Sequence, residues 1–538
     1  MVSMKYESKY SYNLPRIPVY ANKGMVATSQ PLASQAGLEI LKKGGNAVDA
    51  AIATAACLTV VEPTSNGIGG DAFALVWMND ELHGLNSSGR SPENISIDAV
   101  KEAGYEEMPK YGWIPVTVPG VPGAWAALSK RFGKLPLTEV LQPAIDYAEQ
   151  GFPVSYTLAR YWEKSYKVFK ENLSHPMFSE WFDTFAPNGR APRAGEIWSS
   201  YDHAQTLRSI ADTNAESFYH GEIAEKISEF SKNNNGFLQL SDLEAFEPSW
   251  VKPIKVNYRG YDVWEIPPNG QGIVALQALN ILNGYTFSEK ESIDTYHKQI
   301  EAIKLAFADG FKHVTEEQHM IRRSEDILSE EYGAERRNLI GDKALQPEAG
   351  DPAYSGTVYV ATADDEGNMV SFIQSNYMGF GSGLVVPGTG IALQNRGYDF
   401  SLDESHVNSL KGGKQTFHTI IPGFLTKENK AIGPFGVMGG FMQPQGHVQV
   451  IMNTIDFQMN PQAALDAPRW QWLKDKKVEV ENRFPHHLAL ELLEKGHDIR
   501  IQIEPNSFGR GQIIWRDPET GVLIGGTETR TDGTVACW

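Results

Sequence analysis

Residues 356–375 read GTVYVATADDEGNMVSFIQS, and this stretch decides the fold. Two runs rich in β-branched and aromatic residues, 357–363 and 369–374, flank a polar turn at 364–368, which predicts an antiparallel hairpin. If Ala363 faces Met369, the same register places Thr357 opposite Ser375, with two hydroxyls side by side at the open end of the hairpin. A threonine and a serine on a sheet are ordinarily strand formers or surface residues, so the spacing alone does not assign catalysis.

The composition is that of a globular protein with a large core. Of the 538 residues, 41% are hydrophobic and 21% are charged. The net charge is −18 and no basic run could follow a phosphate backbone, so nucleic acid is not expected as a partner. Residues 1–16 lack the apolar core of a signal peptide, and nowhere are there eighteen consecutive apolar residues, so we expect a cytoplasmic protein with no membrane partner.

On either side of the hairpin the chain alternates between helical and extended patterns. Helices are predicted at 32–43 and 48–61, the second capped by Asn46 and apolar nearly all round. A glycine loop at 66–71 precedes a predicted strand at 72–78, and a long region of helical character extends to about residue 345. Beyond the hairpin we expect strands at 418–425 and 431–437, and helices at 446–455 and from Pro461, capped by Asn460. The pattern predicts sheets covered by helices.

Several short motifs recur along the chain in a recognisable order. They are GGNAVDAA at 44–51, GIGG at 67–70, PGVPG at 119–123, GTVY at 356–359, the turn DDEGN at 364–368, GFGSG at 379–383 and MGG at 438–440. One glycine loop would be a weak signal, but several motifs in order are a strong one. Together they resemble the γ-glutamyltranspeptidase family of N-terminal-nucleophile hydrolases, and the stretches 374–383 and 441–447 resemble its acylase-like or oxamate-amidohydrolase-like branch more than its glutathione-degrading members.

The resemblance implies an α/β (α+β) fold, a four-layer αββα sandwich, and self-cleavage between Gly356 and Thr357. Cleavage would give parts of 356 and 182 residues, a large subunit (1–356) and a small catalytic subunit (357–538) of one domain. A freed α-amine, with a pKa of about 7.7–8.0, can serve as general base for the threonine hydroxyl. In this family's pattern Ser375 takes the place of a second threonine that hydrogen-bonds the nucleophile, and the amides of Gly439 and Gly440 form the oxyanion hole. Without the resemblance, the two glycines would indicate only a turn after a buried strand.

The residues that would bind the substrate depart from the family's pattern. The arginine that holds the substrate's α-carboxylate falls on Ser88 here, with Arg90 two positions later, and Arg90 could either reach the same anion or be a surface charge. Asp399 matches the aspartate that binds the α-amino group, whereas Arg396 replaces a usual glutamine. His418 and Thr419 replace a pair of serines. The substrate-binding set implied by the resemblance is therefore Arg90, Asn395, Arg396, Asp399, His418 and Thr419.

The segment between Phe400 and His418 is about ten residues shorter than in family members with a lid loop, which favours water over an amino-acid acceptor. We therefore expect an amide hydrolase. γ-Glutamyl amides, small dicarboxylic monoamides such as oxamate, and glutaryl or other N-acyl groups all remain open as substrates. A true γ-glutamyltransferase acting on glutathione is the less favoured alternative.

Other classes of protein have less support. No His-Glu-x-x-His or Cys-x-x-Cys occurs and the glycine loops lack a Gly-Lys-Ser/Thr ending, so no metal, nucleotide or other cofactor is expected. A catalytically inactive binding protein on the same fold remains an alternative, and it would stay an uncleaved chain of 59.6 kDa. The expected partners are a small-molecule amide and the two subunits of one precursor, with homo-oligomerisation left open.

Overall fold

The computed structural model describes residues 16–347, 356–504 and 507–538. In chain order its strands are β1 (Val19–Ala21), β2 (Gly24–Thr28), β3 (Asp71–Met78), β4 (Glu81–Ser87), β5 (Phe152–Pro153), β6 (Ile197–Trp198), β7 (Ser249–Val251), β8 (Ile254–Tyr258), β9 (Tyr261–Glu265), β10 (Gly356–Asp364), β11 (Met369–Tyr377), β12 (Val385–Val386), β13 (Ile391–Ala392), β14 (Gly423–Lys427), β15 (Lys430–Met438), β16 (Trp470–Lys474), β17 (Lys477–Glu481), β18 (Asp498–Gln502), β19 (Arg510–Arg516), β20 (Leu523–Thr527) and β21 (Thr534–Cys537).

The helices pack around these strands. They are α1 (Pro31–Lys42), α2 (Ala47–Val61), α3 (Ile97–Glu102), α4 (Val121–Phe132), α5 (Leu137–Val140), α6 (Gln142–Gln150), α7 (Tyr156–Asn172), α8 (Ser179–Phe185), α9 (Tyr201–Thr213), α10 (Glu216–Tyr219), α11 (Glu222–Asn233), α12 (Leu240–Glu244), α13 (Gly272–Leu282), α14 (Ile293–His313), α15 (Ser324–Ile327), α16 (Glu330–Arg337), α17 (Met442–Ile455), α18 (Pro461–Asp466) and α19 (His486–Glu494). Short 3₁₀ turns lie at Pro176–Phe178, Glu317–His319 and Arg396–Asp399.

Two seven-stranded antiparallel sheets form the centre of the described part of the molecule. Sheet I has the order β1-β20-β19-β15-β14-β9-β8, and sheet II has the order β21-β2-β10-β11-β3-β4-β7. Their facing sides share one apolar core, to which Phe73 and Ala361 of sheet II and Phe424 and Ile514 of sheet I contribute. On the outer sides, α2 packs on β10 and β11, whereas α13 and α17 pack on sheet I. The layers therefore run helix, sheet, sheet, helix, as the family resemblance implies.

Helix α2 shows why this layering follows from the sequence. Asn46 accepts hydrogen bonds from the backbone N–H groups of Val48 and Asp49, and the Asp49 side chain accepts from the N–H of Asn46, which completes a capping box. All fifteen residues of the helix are buried. A helix that is apolar on every side is stable only when it is covered on every side, and α2 lies between sheet II and the outer helices α1, α4 and α6.

Some predicted elements differ from those observed. The strand predicted at 418–425 begins only at Gly423, because Pro422 carries no N–H for the ladder and His418 makes a single isolated bridge to Gly270. The region of helical character before residue 345 also contains the strands β7, β8 and β9, which complete the edges of both sheets. The helix predicted from Gly446 starts at Met442, since Pro444 is tolerated in a first helical turn.

Candidate active site

The predicted hairpin is formed by β10 and β11, and its register is the predicted one from Ala363↔Met369 to Val358↔Gln374. The register shifts between Val358 and Gly356, so Thr357 lies at an irregularity at the strand start. There the Thr357 hydroxyl donates to the Ser375 hydroxyl at 3.2 Å, and the Tyr377 N–H donates to the same Ser375 oxygen at 2.8 Å. Thr357 is fully buried. The two hydroxyls are therefore held side by side between neighbouring strands.

The two glycines of the MGG motif follow β15 directly. Gly439 has a φ of +139° and Gly440 a φ of +62°, conformations that favour glycine. Within the described residues, neither backbone N–H donates a hydrogen bond, although the Gly440 carbonyl accepts from Gln271 at 2.9 Å. Two unpaired N–H groups at consecutive positions are what an oxyanion hole requires.

The packing of β15 on the hairpin indicates where these glycines lie. Gly433 lies against Met369, at the turn end of the hairpin, and Gly436 lies against the ring of Tyr359. Strand β15 therefore runs antiparallel to β10 across the two sheets. Three more residues bring Gly439 to the end of the sheets at which Thr357 lies.

Arg396 is the buried cation of the site. It is fully buried, its Nη1 donates to Thr419 Oγ1 at 2.7 Å and lies 3.5 Å from Asp399 Oδ2, and its guanidinium lies 4.1 Å from the centre of the Tyr377 ring. Its Nε and Nη2 are buried and have no hydrogen-bond partner among the residues that the structure describes. Burial lowers the pKa of Arg396 and the Asp399 carboxylate opposes that change. Two unpaired N–H-bearing nitrogens of one guanidinium form a fork suited to an anion.

Two carboxyl groups face this arginine. Asp399 accepts from the Tyr377 hydroxyl at 2.5 Å, and burial raises its pKa to about 6 although Arg396 lowers it. Asp71 is fully buried, and burial raises its pKa to about 7, again opposed by Arg396. The pKa values of both carboxyl groups therefore lie near neutral pH, so small changes in pH alter their charge.

Asp71 lies on the strand next to Ser375 and feels the charge of Arg396. It faces Ser375 across β3 and β11, and its Oδ2 lies 3.1 Å from His418 Nε2. His418 Nδ1 accepts from the N–H of Ile420, so Nε2 carries the hydrogen, and burial keeps the pKa of His418 well below its usual range. His418 is therefore a neutral donor to Asp71.

Sequence reasoning did not identify Asp71 or Gln271 as site residues. Asp71 gave one usable signal, because it is an acidic residue that opens a wholly buried strand directly after a glycine loop. Gln271 gave none. Its Nε2 donates to the carbonyls of Thr419 and Gly440, at 2.6 and 2.9 Å. Gln271 therefore links a predicted substrate-binding residue to a glycine of the predicted oxyanion hole.

The remaining predicted residues have other neighbours. Arg90 is about half exposed, pairs with Glu316 at 2.6 Å and donates to the Gly413 carbonyl, which favours the surface-charge alternative. Ser88 is buried and hydrogen-bonded to Asn86 at 2.8 Å. Asn395 accepts from the N–H of Met378 and donates to the carbonyl of Lys110, so it braces the loop beside Tyr377. Its role in substrate binding stays a prediction.

A cavity of about 660 Å³ opens beside these residues. Asp399 lines it together with aromatic side chains, which are Phe311, Tyr377, Tyr398, Phe400, Phe417 and Phe441. Thr357 is not a lining residue, but Tyr377 connects the cavity to the hydroxyl pair through its bond to Ser375. The shortened segment after Phe400 forms part of the wall, since Ser401, Asp403 and Asn408 line the cavity. A cavity that combines aromatic walls with several charged and polar groups suits a small polar molecule.

The sequence is similar to those of several known proteins. A family profile described as Gamma-glutamyltranspeptidase matches residues 33–538. The chain is 39% identical to the glutathione hydrolase-like YwrD proenzyme of Bacillus subtilis, over 96% of this chain and 99% of that protein. It is 33% identical to the oxamate amidohydrolase proenzyme of Klebsiella pneumoniae, over 95% of this chain and 98% of the relative.

Among solved structures, the fold is similar to a cephalosporin acylase from Bacillus halodurans. That structure is 64% identical, with a TM-score of 0.96 over 99% of each chain. In the residues that the structure describes, no helix is both long and apolar enough to cross a membrane.

Proposed function

This chain belongs to the γ-glutamyltranspeptidase family, and we propose that it cleaves itself before Thr357 and then hydrolyses small amides with Thr357 as nucleophile. The observation that carries the proposal is the contact between the Thr357 and Ser375 hydroxyls at the start of β10, directly after Gly356. The products of self-cleavage would be the large and small subunits of residues 1–356 and 357–538.

The proposed maturation uses groups already in contact. Thr357 Oγ1 attacks the Gly356 carbonyl, the peptide C–N bond breaks, and an ester joins Gly356 to the threonine oxygen. Water then hydrolyses the ester, leaving a carboxylate on Gly356 and a free α-amine on Thr357. Ser375 Oγ, oriented by the Tyr377 N–H, accepts the hydrogen bond of the attacking hydroxyl.

In catalysis the new α-amine takes the proton of the Thr357 hydroxyl, which attacks the substrate carbonyl. The N–H groups of Gly439 and Gly440 receive the oxyanion. Collapse of the tetrahedral intermediate expels the amine, which leaves with the transferred proton, and water then hydrolyses the acyl-enzyme. The acyl group passes first from the amide nitrogen to the Thr357 oxygen and then from that oxygen to water, with no redox change.

Arg396 and Asp399 would bind the charged groups of the substrate. The unpaired Nε and Nη2 of Arg396 suit a carboxylate, and the Asp399 carboxylate at the cavity wall suits an ammonium. A zwitterionic head group adds no net charge to this buried cluster, which supports γ-glutamyl amides. Small dicarboxylic amides would pair their carboxylate with Arg396 alone.

A substrate panel tests this function. We expect the cleaved enzyme to hydrolyse γ-glutamyl, glutaryl and oxamate-type amides faster than matched amides of neutral acyl groups. Release of free acid and transfer to a dipeptide acceptor are measured together, and hydrolysis is expected to exceed transfer. Transfer that exceeds hydrolysis would contradict the preference for water. No turnover of any panel member by fully cleaved protein would sink the proposed activity.

The pKa of Asp399 gives a pH prediction. Its carboxyl is ionised above about pH 6 and protonated below it, so the attraction for a substrate ammonium is present above that pH and lost as the pH falls. At pH 5 we expect the KM for a γ-glutamyl amide to be about tenfold higher than at pH 7.5, since about one Asp399 in ten is then ionised. The KM for the matching glutaryl amide, which has no ammonium, provides the control and should lack this rise. Equal rises for both amides would show that Asp399 does not recognise the ammonium.

A further inference from the structure

A second buried polar cluster lies in the helix layer on the outer side of sheet I, away from the strand that carries Thr357. His297, Glu301 and Lys304 occupy one face of α14, and His497 meets them from the segment after α19. All four side chains are at most 3% exposed. Ligand atoms of His297, Glu301 and His497 all lie within 4.8 Å of one another. None of these residues takes part in the proposed amide chemistry.

The hydrogen bonds define which ring nitrogen carries each proton. His297 Nε2 lies 2.8 Å from the Gly341 carbonyl and must donate to it, so His297 Nδ1 presents a lone pair. That lone pair faces His497 Nε2 at 2.9 Å. Lys304 Nζ lies 3.4 Å from His497 Nδ1, which places the hydrogen of His497 on Nε2. A single proton therefore lies between the two imidazoles, and Glu301 Oε1 is 3.7 Å from the same His497 nitrogen.

We infer that this cluster is a zinc site, in which Zn²⁺ replaces the proton between His297 Nδ1 and His497 Nε2 and takes Glu301 Oε1 as its third ligand. Tetrahedral zinc with ligands at about 2.0–2.1 Å has ligand atoms roughly 3.3 Å apart. The observed separations of 2.9 and 3.7 Å bracket that value. Two imidazoles and a carboxylate are a donor set that zinc accepts, and the proton displaced from His497 passes to the solvent.

Hydrogen bonds to the ligand side chains also support a zinc site. The bond from His297 Nε2 to the Gly341 carbonyl orients the ring, as is usual for a metal-bound histidine. Glu301 Oε2 accepts from the N–H of Leu345 at 2.9 Å, which leaves Oε1 directed at the histidines. The site would therefore be preformed by the backbone of the segment that leads toward Gly356.

Nearby lysine side chains disfavour the binding of Zn²⁺. Lys304 Nζ lies 2.7 Å from Glu301 Oε1 and acts as the resident cation of the cluster, and Lys476 and Lys495 are also near His497. Burial lowers the pKa of Lys304, although Glu301 raises it. Zinc and the Lys304 ammonium therefore compete for one carboxylate oxygen, which predicts that removal of the lysine charge strengthens zinc binding.

The position of the cluster gives the ion a structural role. His297 and Glu301 precede the proposed cleavage site, whereas His497 follows it. Zinc would join the two subunits of the cleaved protein. Binding itself requires no cleavage, so it can be tested independently of the proposed activity.

The test is a zinc titration of the full-length protein after removal of metal with a chelator, with a chromophoric zinc indicator as competitor. We expect one Zn²⁺ per chain, and at least about 100-fold weaker binding in His497→Gln, since loss of an outer-shell partner alone costs about 10–100-fold. His487→Gln is the matched control, because His487 is an exposed histidine of α19, and it should bind like the parent protein. Circular dichroism of each variant establishes that it is folded.

Lys304→Gln separates a metal site from a purely structural network. If the cluster is a zinc site, this variant should bind Zn²⁺ at least tenfold more tightly than the parent. Failure of the parent protein to bind stoichiometric Zn²⁺ at micromolar concentrations would overturn the inference. So would unchanged zinc affinity in a folded His497→Gln protein, and so would weaker binding by folded Lys304→Gln.

Discussion

A Thr357→Ala protein is expected to remain a single chain of 59.6 kDa and to hydrolyse the substrate panel at least about 10⁴-fold more slowly than the cleaved parent. The reason is that one hydroxyl performs both reactions. Without it the Gly356 carbonyl has no adjacent nucleophile, so neither the free α-amine nor the acyl-enzyme can form. Denaturing electrophoresis and N-terminal sequencing measure cleavage, and initial rates measure hydrolysis.

Thr357→Ser is the matched control. It keeps the hydroxyl opposite Ser375 and removes one buried methyl group, so it should still cleave and retain measurable activity. The parent small subunit should begin with Thr357. Cleavage of the alanine variant at the same bond, or its hydrolysis of substrate at near-parent rates, would mean that another nucleophile does the work.

Replacement of Arg396 is expected to have the next largest effect. In Arg396→Gln a carboxylated acyl group loses a bidentate, buried partner, which costs about 2–5 kcal/mol, or roughly 30-fold to several thousand-fold in kcat/KM. Amides of neutral acyl groups should change little, so the measured quantity is the ratio of kcat/KM between carboxylated and neutral acyl substrates. The protein should stay folded, because loss of the arginine raises the pKa values of Asp71 and Asp399 and allows both to become neutral.

Arg90→Gln is the comparison that decides between the two arginines. Arg90 is half exposed and already paired with Glu316, so its loss should change kcat/KM less than threefold. Thermal denaturation of both variants checks their folding. A large loss of selectivity in Arg90→Gln with none in Arg396→Gln would assign the carboxylate to Arg90 instead.

The parts of the fold that depend on local chemistry could be predicted from the sequence. The polar turn at 364–368 and the alternation on either side of it determine the register of β10 and β11, which is correct as far as Val358. Asn46 and the two preceding glycines set the boundary between α1 and α2 to within a residue or two. The shift at Gly356 could not be predicted, because a bulge depends on the neighbouring strands rather than on the residue itself.

The site was less predictable, since its geometry depends on contacts between distant parts of the chain. The family resemblance identified Arg396 and Asp399 as candidates. It could not show that two nitrogens of the arginine would have no partner among the described residues after the contacts with Tyr377 and Thr419. The alternative roles of Arg90 could not be separated either, because Glu316 lies more than two hundred residues away along the chain. Pairings of this kind are a property of the folded chain.

The two parts of the chain on either side of Gly356 alternate within both sheets, and this limits how the protein can be made. In sheet I the later strands β20, β19, β15 and β14 lie between the earlier strands β1 and β9, and in sheet II the earlier β2 lies between the later β21 and β10. Neither part contains a complete sheet, so halves synthesised separately would each present unpaired strand edges prone to aggregation. In a single polypeptide the two parts pair within one chain, where each is at a high effective concentration relative to the other. In the proposed maturation, a cut made after folding would supply a terminal amine without any bimolecular assembly step, and the precursor would hold its own subunits together while they fold.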